Sequence, residues 1–442
     1  MNNNKIKIER RFFGINRITY IGFMLCIFWV SCSKNGSTPA PSPTPTPPPA
    51  TVTITASPQN ITLPATGGQQ SFTVTTSATD WTATASDSWL TVTKQGNTVT
   101  VQGSANLSAA RSATVTCMVN GKNISVSVSV SQQAVTAAQS DSLALADIYT
   151  ALNGAGWTTK WNLNTGMNNW SGVTLTGGRV TKLDLHANKL TGTIPASIER
   201  LTQLQFLDLS GNYLAGNIPA GINSLPNIEY LDLSDNGLSG SAPSMNSLTK
   251  LIVLDVSSNS LASLPTLNAN LPNLEYLAFN RNSISGGLPA SWSAYKQLIY
   301  IDLSENAFTF AIPAEWSSLT NMIVFYLYGN ALTGAVPAYL TTFTRLKALA
   351  LNNNNLTGTI PADLGTLPDL DTLWLSNNRL SGAIPSSLLN NAHWNEWTAN
   401  VCPQQSGYGF SNCSTATTAA AANVRATTSL GNSLKATYRK RF

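Results

Sequence analysis

Five aspartates recur at one position of a repeated wording, each between two apolar residues: Asp184, Asp208, Asp232, Asp255 and Asp302. If those residues lie on stacked strands, neighbouring carboxylates sit roughly 4.8 Å apart. That spacing could serve an acid pair for hydrolysis or a calcium site. The bland alternative is stronger, because Leu-Asp-Leu is the ordinary wording of this repeat. The chain holds two histidines, His186 and His393, and neither has a plausible nucleophile beside it in sequence. It has no CxxC and no His/Cys cluster of metal-binding spacing. The expectation is therefore no catalytic residue, no cofactor and no metal.

Aromatic residues make a better case for binding. The position before each inner strand leucine reads Lys182, Phe206, Tyr230, Val253, Tyr276, Tyr300, Val324, Ala348 and Thr372. The next outward column ends with Tyr326 and Trp374, and the one after it includes Tyr328. Tyrosine and tryptophan give large contact area at low entropic cost. Tyr230, Tyr276, Arg281, Tyr300, Tyr326, Tyr328 and Trp374 are the candidate ligand-binding residues, expected to be outward and exposed on a concave face.

The element that must position them is a repeat. From Val180 to Ile384 the pattern L-x-x-L-x-L-x-x-N-x-L is written nine times. Its asparagines are Asn188, Asn212, Asn236, Asn259, Asn282, Asn306, Asn330, Asn354 and Asn378, at steps of 23 or 24 residues. A fixed period of that length specifies a solenoid, in which each coil buries its apolar face only against its neighbours. Within a coil, Leu207-Asp208-Leu209 alternates as a short strand does, leucines inward and aspartate outward. The asparagine turns the chain off the strand. Its amide can satisfy backbone groups of adjacent coils that the bend would leave unpaired. The nine asparagines are expected to be a structural ladder.

Most repeats continue L-x-G-x-I-P, as at Leu190–Pro195, Leu214–Pro219, Leu332–Pro337, Leu356–Pro361 and Leu380–Pro385. The sequence here resembles the plant-type leucine-rich repeat, a resemblance that implies a second short strand on the flank. Two repeats lack the glycine, at Leu261–Pro265 and Phe308–Pro313, and an irregular second strand is expected there.

Charged residues are only 10% of the 442, and the net charge is +5. That composition lacks the concentrated basic face a nucleic-acid partner requires. The first 32 residues read as a targeting segment: Lys5, Lys7, Arg10, Arg11 and Arg17, then an apolar run from Ile18 to Val30. It ends Trp29-Val30-Ser31-Cys32, which resembles a bacterial lipoprotein signal. The resemblance implies lipidation at Cys32 and a membrane contact through the lipid alone. Export permits disulfides. Of the five cysteines, Cys402 and Cys413 flank a glycine-containing loop beyond the last repeat and are the expected pair, whereas Cys117 lies in an apolar strand.

Taken in order, residues 33–50 are a Pro/Ser/Thr linker. Residues 51–134 read as short alternating strands and predict a small β-sandwich. Asp80-Trp81, Ser88–Val92, Gly96, Asn106, Arg111–Val115 and Val130–Gln133 resemble the BACON domain of Bacteroidetes exported proteins. The resemblance implies an immunoglobulin-like fold and, for some members, carbohydrate or mucin binding. Residues 139–178 form the expected N-terminal cap of the repeats, with a helix from Ser140 to Leu152 capped by Ser140 or Asp141 and followed by Trp157, Trp161 and Trp170. Residues 179–390 are the repeats and 391–413 a C-terminal cap. Residues 414–442 are expected to be disordered, with too few apolar residues to pack.

The fold expectation is thus mainly β: an immunoglobulin-like sandwich, then a curved leucine-rich-repeat solenoid with a parallel sheet on its concave face. The functional expectation is a non-enzymatic, monomeric lipoprotein of the outer membrane or cell surface. Its concave face would bind a protein or glycan ligand. The alternative is a glycan-utilisation accessory whose BACON-like domain holds the sugar while the repeats act as scaffold.

Overall fold

The computed structural model describes residues 51–267, 271–413 and 424–442. The signal and lipidation assignments, Cys32 included, lie outside the described residues. The first eight strands are β1 (Ile54–Ser57), β2 (Asn60–Leu63), β3 (Gly68–Thr76), β4 (Trp81–Ala85), β5 (Leu90–Gln95), β6 (Thr98–Gly103), β7 (Arg111–Val119) and β8 (Ser125–Gln132). They form two four-stranded sheets, ordered β1-β3-β6-β5 and β2-β8-β7-β4. The first is antiparallel throughout, and the second contains one parallel pair, β2 with β8. Alternate residues turn inward, which is why Phe72 and Val74, Val99 and Val101, Val115 and Cys117 are all buried.

Helix α1 (Ala137–Ala151) opens the repeat region. It starts earlier than the expected Ser140, because Thr136 is the N-cap and forms a reciprocal capping box with Gln139. Asp141, expected as a cap, is instead buried and takes the Arg179 guanidinium at 2.8 and 2.9 Å and the Val180 N–H at 2.9 Å. Ala144, Leu145, Ile148 and Leu152 face the core. Trp157, Trp161 and Trp170 pack in succession with ring centroids 4.9 and 5.0 Å apart. Each indole N–H meets a backbone carbonyl, so the edge of the core closes without cysteines.

Strands β9 (Val173–Thr176) and β10 (Arg179–Asp184) start the inner sheet. It continues through Phe206–Asp208, Tyr230–Asp232, Val253–Asp255, Tyr276–Ala278, Tyr300–Asp302, Val324–Tyr326, Ala348–Ala350 and Thr372–Trp374, all parallel and in register. One continuous apolar core runs beneath it from Ala144 to Phe410. The opposite side carries short 3-10 turns, most of them starting after a proline such as Pro195, Pro289 or Pro313, whereas Leu364–Thr366 follows Asp363. The outer strands form in both glycine-less repeats, at Ser260–Ser263 and Ala307–Thr309, but each outer sheet stops there. In the second of these, Phe310 stands at φ 64° where other repeats place glycine.

The asparagine side chains form the ladder in detail. Asn212 accepts from the Asn188 and Leu190 N–H groups, both at 3.0 Å, and donates to the Leu185 and Leu209 carbonyls at 3.0 and 2.8 Å. Asn236, Asn259, Asn282, Asn306, Asn330, Asn354 and Asn378 each accept from one N–H of the previous coil and donate to one of its carbonyls, coil by coil. Beyond the ninth coil Gln404 takes the role: it accepts from the Leu380 N–H at 3.2 Å and donates to the Leu375 carbonyl at 3.1 Å. Helices α2 (Ser386–Leu389) and α3 (Trp394–Val401) cover this end, with the Trp397 indole bonded to the Asp371 carbonyl. Cys402 and Cys413 are joined, their Cα atoms 6.1 Å apart.

The C-terminal segment departs from its expected disorder. Residues Val424–Arg441 form helix α4, and from Leu430 onward it lies over the inner sheet. Leu430, Gly431, Leu434, Lys435, Tyr438, Arg439 and Phe442 are its less exposed positions. That sequence of positions is one stripe of an α-helix. The composition of 414–442 as a whole conceals it, because the preceding Ala/Thr/Ser run dilutes it.

Candidate functional site

The inner sheet brings the sequence-selected residues into one file. Register pairs Phe206 with Tyr230, Tyr230 with Val253, Val253 with Tyr276, and Tyr276 with Tyr300. Strand spacing then stacks the rings: Phe206 on Tyr230 with centroids 4.4 Å apart, and Tyr276 on Tyr300 at 4.1 Å. Tyr326 meets Tyr300 edge-on at 6.3 Å, Tyr328 follows at 6.3 Å and Trp374 at 6.5 Å. All six of the candidate aromatics therefore belong to one cluster.

Their exposure differs from the sequence expectation. Tyr230, Tyr276, Tyr300, Tyr326, Tyr328 and Trp374 are all buried rather than outward and open. Flat rings stacked at strand spacing cover one another, and Tyr438 and Phe442 of α4 add further cover: Tyr438 lies 6.3 Å from the Tyr276 ring, and Phe442 6.1 Å from Tyr230. Arg281 does not join the rings. It occupies the turn before Asn282 at φ 56°, and its guanidinium bonds Glu305 at 2.6 Å. Glu305 accordingly raises the Arg281 pKa above the usual range.

Beside the rings runs the aspartate column. In Asp208, Asp232, Asp255 and Asp302 one oxygen accepts the hydroxyl and N–H of the serine two residues on, with hydroxyl distances of 2.5 to 2.6 Å. The other oxygen is left for a partner. Lys435 Nζ stands 2.6 Å from both Asp232 and Asp255. Arg439 lies 2.9 Å from Asp184 and 3.2 Å from Asp208. Tyr438 donates to Glu275 at 2.5 Å. Burial pushes the Asp302 carboxyl up to about 6 against its serine and Tyr300 bonds, and burial with the Asp255 charge raises Asp232 too. Burial works against the Lys435 charge, but Asp255 and Asp232 outweigh it and hold its pKa above the usual lysine range.

Two features bear on chemistry. Asp184, His186 and Asp208 bring potential ligand atoms within 4.8 Å of one another, but the Arg439 guanidinium lies among them and supplies the positive charge. In the first sheets, Trp81 is buried with Lys94 over its ring at 4.1 Å, and Arg111 covers Trp89 at 4.2 Å. Cation-covered faces do not offer the open platform a sugar ring stacks on.

Sequence reasoning missed Lys435, Tyr438, Arg439 and Phe442. The signal that could have found them is Leu430, Leu434, Tyr438 and Phe442, spaced by four, with Lys435 and Arg439 one residue behind.

Comparison with known proteins agrees with this geometry. Residues 178–238, and again 345–367 and 369–391, match models described as leucine rich repeat. No curated protein sequence matches the chain significantly. Among solved structures it is similar to the Arabidopsis receptor kinase HAESA ectodomain in complex with an N-terminal extended IDA peptide hormone ligand. That match has 28% identity and a TM-score of 0.50, and covers 58% of this chain and 44% of that one. The ectodomain of GASSHO1/SCHENGEN3 from Arabidopsis thaliana, in complex with CASPARIAN STRIP INTEGRITY FACTOR 2, matches at 27% identity and TM-score 0.48, over 60% of this chain and 35% of that one. A plant ice-binding protein matches at 27% identity and TM-score 0.49, over 59% of this chain and 92% of that one. The chain thus spans less than half the length of the receptor ectodomains it resembles. No catalytic family is indicated. With parallel strands in register and an asparagine on every coil, residues 178–238 and 345–391 are leucine-rich repeats of a solenoid domain.

Proposed function

We propose that this protein is a non-enzymatic binding protein whose inner repeat sheet receives a protein ligand. The observation that carries the reading is the file of stacked aromatics beside aligned carboxylates, already seating a helix. A surface that holds one amphipathic segment by rings and ion pairs has the makings of a recognition site. The HAESA ectodomain, similar in fold, is a receptor bound to a peptide. A full-length chain carrying Tyr300→Ala and Tyr326→Ala should bind a ligand captured from the native environment at least tenfold more weakly by titration calorimetry. Unchanged affinity in a folded double variant would remove the inner sheet as the site. The alternative, sugar held by the BACON-like residues 51–134, has less support because Trp81 and Trp89 are both covered.

Placement follows from the leader. The basic start, the apolar run and Ser31-Cys32 support an exported chain lipidated at Cys32 on the outer membrane or cell surface. Among the described residues no helix is long and apolar enough to cross a membrane. Cys32→Ala should shift the protein from the membrane pellet to the soluble fraction. Retention in the pellet with Ile18–Val30 removed would contradict lipid anchoring.

A further inference from the structure

The C-terminal helix occupies the same sheet that the proposed ligand would use, and its chemistry is specific. From Val424 onward the segment carries Arg425, Lys435, Arg439, Lys440 and Arg441 and no acidic residue. Lys435 and Arg439 are one helical turn apart, and each spans two neighbouring carboxylates of the column, Lys435 between Asp232 and Asp255, Arg439 between Asp184 and Asp208. Four residues of helix rise about 6 Å and two repeat strands advance about 9.6 Å; the long side chains of Lys435 and Arg439 span the difference and reach successive pairs of coils. Tyr438 and Phe442 lie against the rings between. With α4 seated, the Asp232 and Asp255 side chains are only 1% and 3% exposed. Like charges held this close in a buried column repel one another without a cation. A positively charged occupant relieves that repulsion, as Lys435 and Arg439 do here.

We propose that the inner sheet is a receptor for a cationic amphipathic helix of a partner protein, one that presents a lysine and an arginine four residues apart beside an aromatic ring, and that α4 holds the seat until such a helix displaces it. This rests on the inner-sheet reading above and narrows its ligand class. Tethering gives the chain's own helix an advantage in effective concentration, so an outside ligand binds only by competing with it.

Gly431 supplies the test. A Cβ there would stand 2.6 Å from the Tyr300 hydroxyl and 2.9 Å from its ring. Gly431→Trp in the full chain should lift the helix while leaving every carboxylate and ring of the sheet in place. The probe is a labelled synthetic peptide with the sequence of residues 424–442. By fluorescence anisotropy it should bind the Gly431→Trp chain at least tenfold more tightly than the wild-type chain. Charge reversal in the peptide (K435E with R439E) should cost at least tenfold, and added salt should weaken the unmodified peptide further. Hydrogen exchange over residues 430–441 should rise in the Gly431→Trp chain, and a full chain carrying K435E with R439E should behave likewise if the tryptophan variant misfolds. Failure of the peptide to bind either released chain overturns the proposal, as does equal binding of the charge-reversed peptide. Equal peptide affinity for wild-type and released chains, or unchanged protection of the helix in both variants, overturns self-occupancy. If the peptide fails while the captured ligand still depends on Tyr300 and Tyr326, only the cationic-helix class is lost; if both fail, the inner sheet is not the site.

Discussion

Trp316→Ala is expected to lower the unfolding free energy by about 3–5 kcal/mol, the range for removing a buried tryptophan. Trp316 is fully buried on the far side of the coils. It lies parallel to Trp292 with centroids 6.2 Å apart and edge-on to Phe325 at 6.0 Å, and its indole N–H bonds the Pro289 carbonyl at 2.9 Å. Alanine leaves a cavity between two coils and strips that carbonyl of its donor. Because each coil touches only its neighbours, there is no second layer to collapse into the gap. Urea denaturation followed by tryptophan fluorescence and by circular dichroism checks this. A midpoint like that of the exposed control Tyr213→Ala, expected within about 0.5 kcal/mol of wild type, would show that the site repacks freely.

Asn212→Ala should destabilise by about 2–5 kcal/mol, although it removes only a small side chain. The loss comes from the backbone. The Asn188 and Leu190 N–H groups lose their acceptor and the Leu185 carbonyl loses its donor, while the Leu209 carbonyl keeps the Asn236 amide at 3.0 Å. Each buried orphan costs about 1–3 kcal/mol, and Leu185 and Leu190 are both sealed in the core. Asn212→Asp keeps the acceptor but sets a buried carboxylate oxygen against the Leu185, Leu209 and Ser210 carbonyls, so near neutral pH it should be at least as destabilised as alanine. Equal stability of all three in chemical denaturation would mean that the ladder bonds contribute nothing net.

The first of these effects depends on a part of the chain that its repeat announces plainly. A leucine at every third or second position and an asparagine every 23 or 24 residues determine an inner strand, a turn and a stacking partner for each coil. Those contacts are local or one period away, so a one-dimensional pattern is enough to specify them. The same regularity determined which side chains share a column, and Tyr276, Tyr300 and Tyr326 are neighbours in space for that reason. Their burial was not legible, because it depends on what lies above the sheet. Residues 424–442 come after a long Ala/Thr/Ser stretch and form a helix that has no useful partner within its own neighbourhood in sequence. The carboxylates that hold Lys435, Asp255 and Asp232, are 180 and 203 residues away, and no local pattern pairs a lysine with a column that distant. The sequence alone determined the solenoid, its ladder and its aligned aromatic and acidic columns, since each coil carries the instruction for the next. Only the tertiary structure decided that the columns are occupied, since charge and shape complementarity between remote segments becomes visible once both are folded.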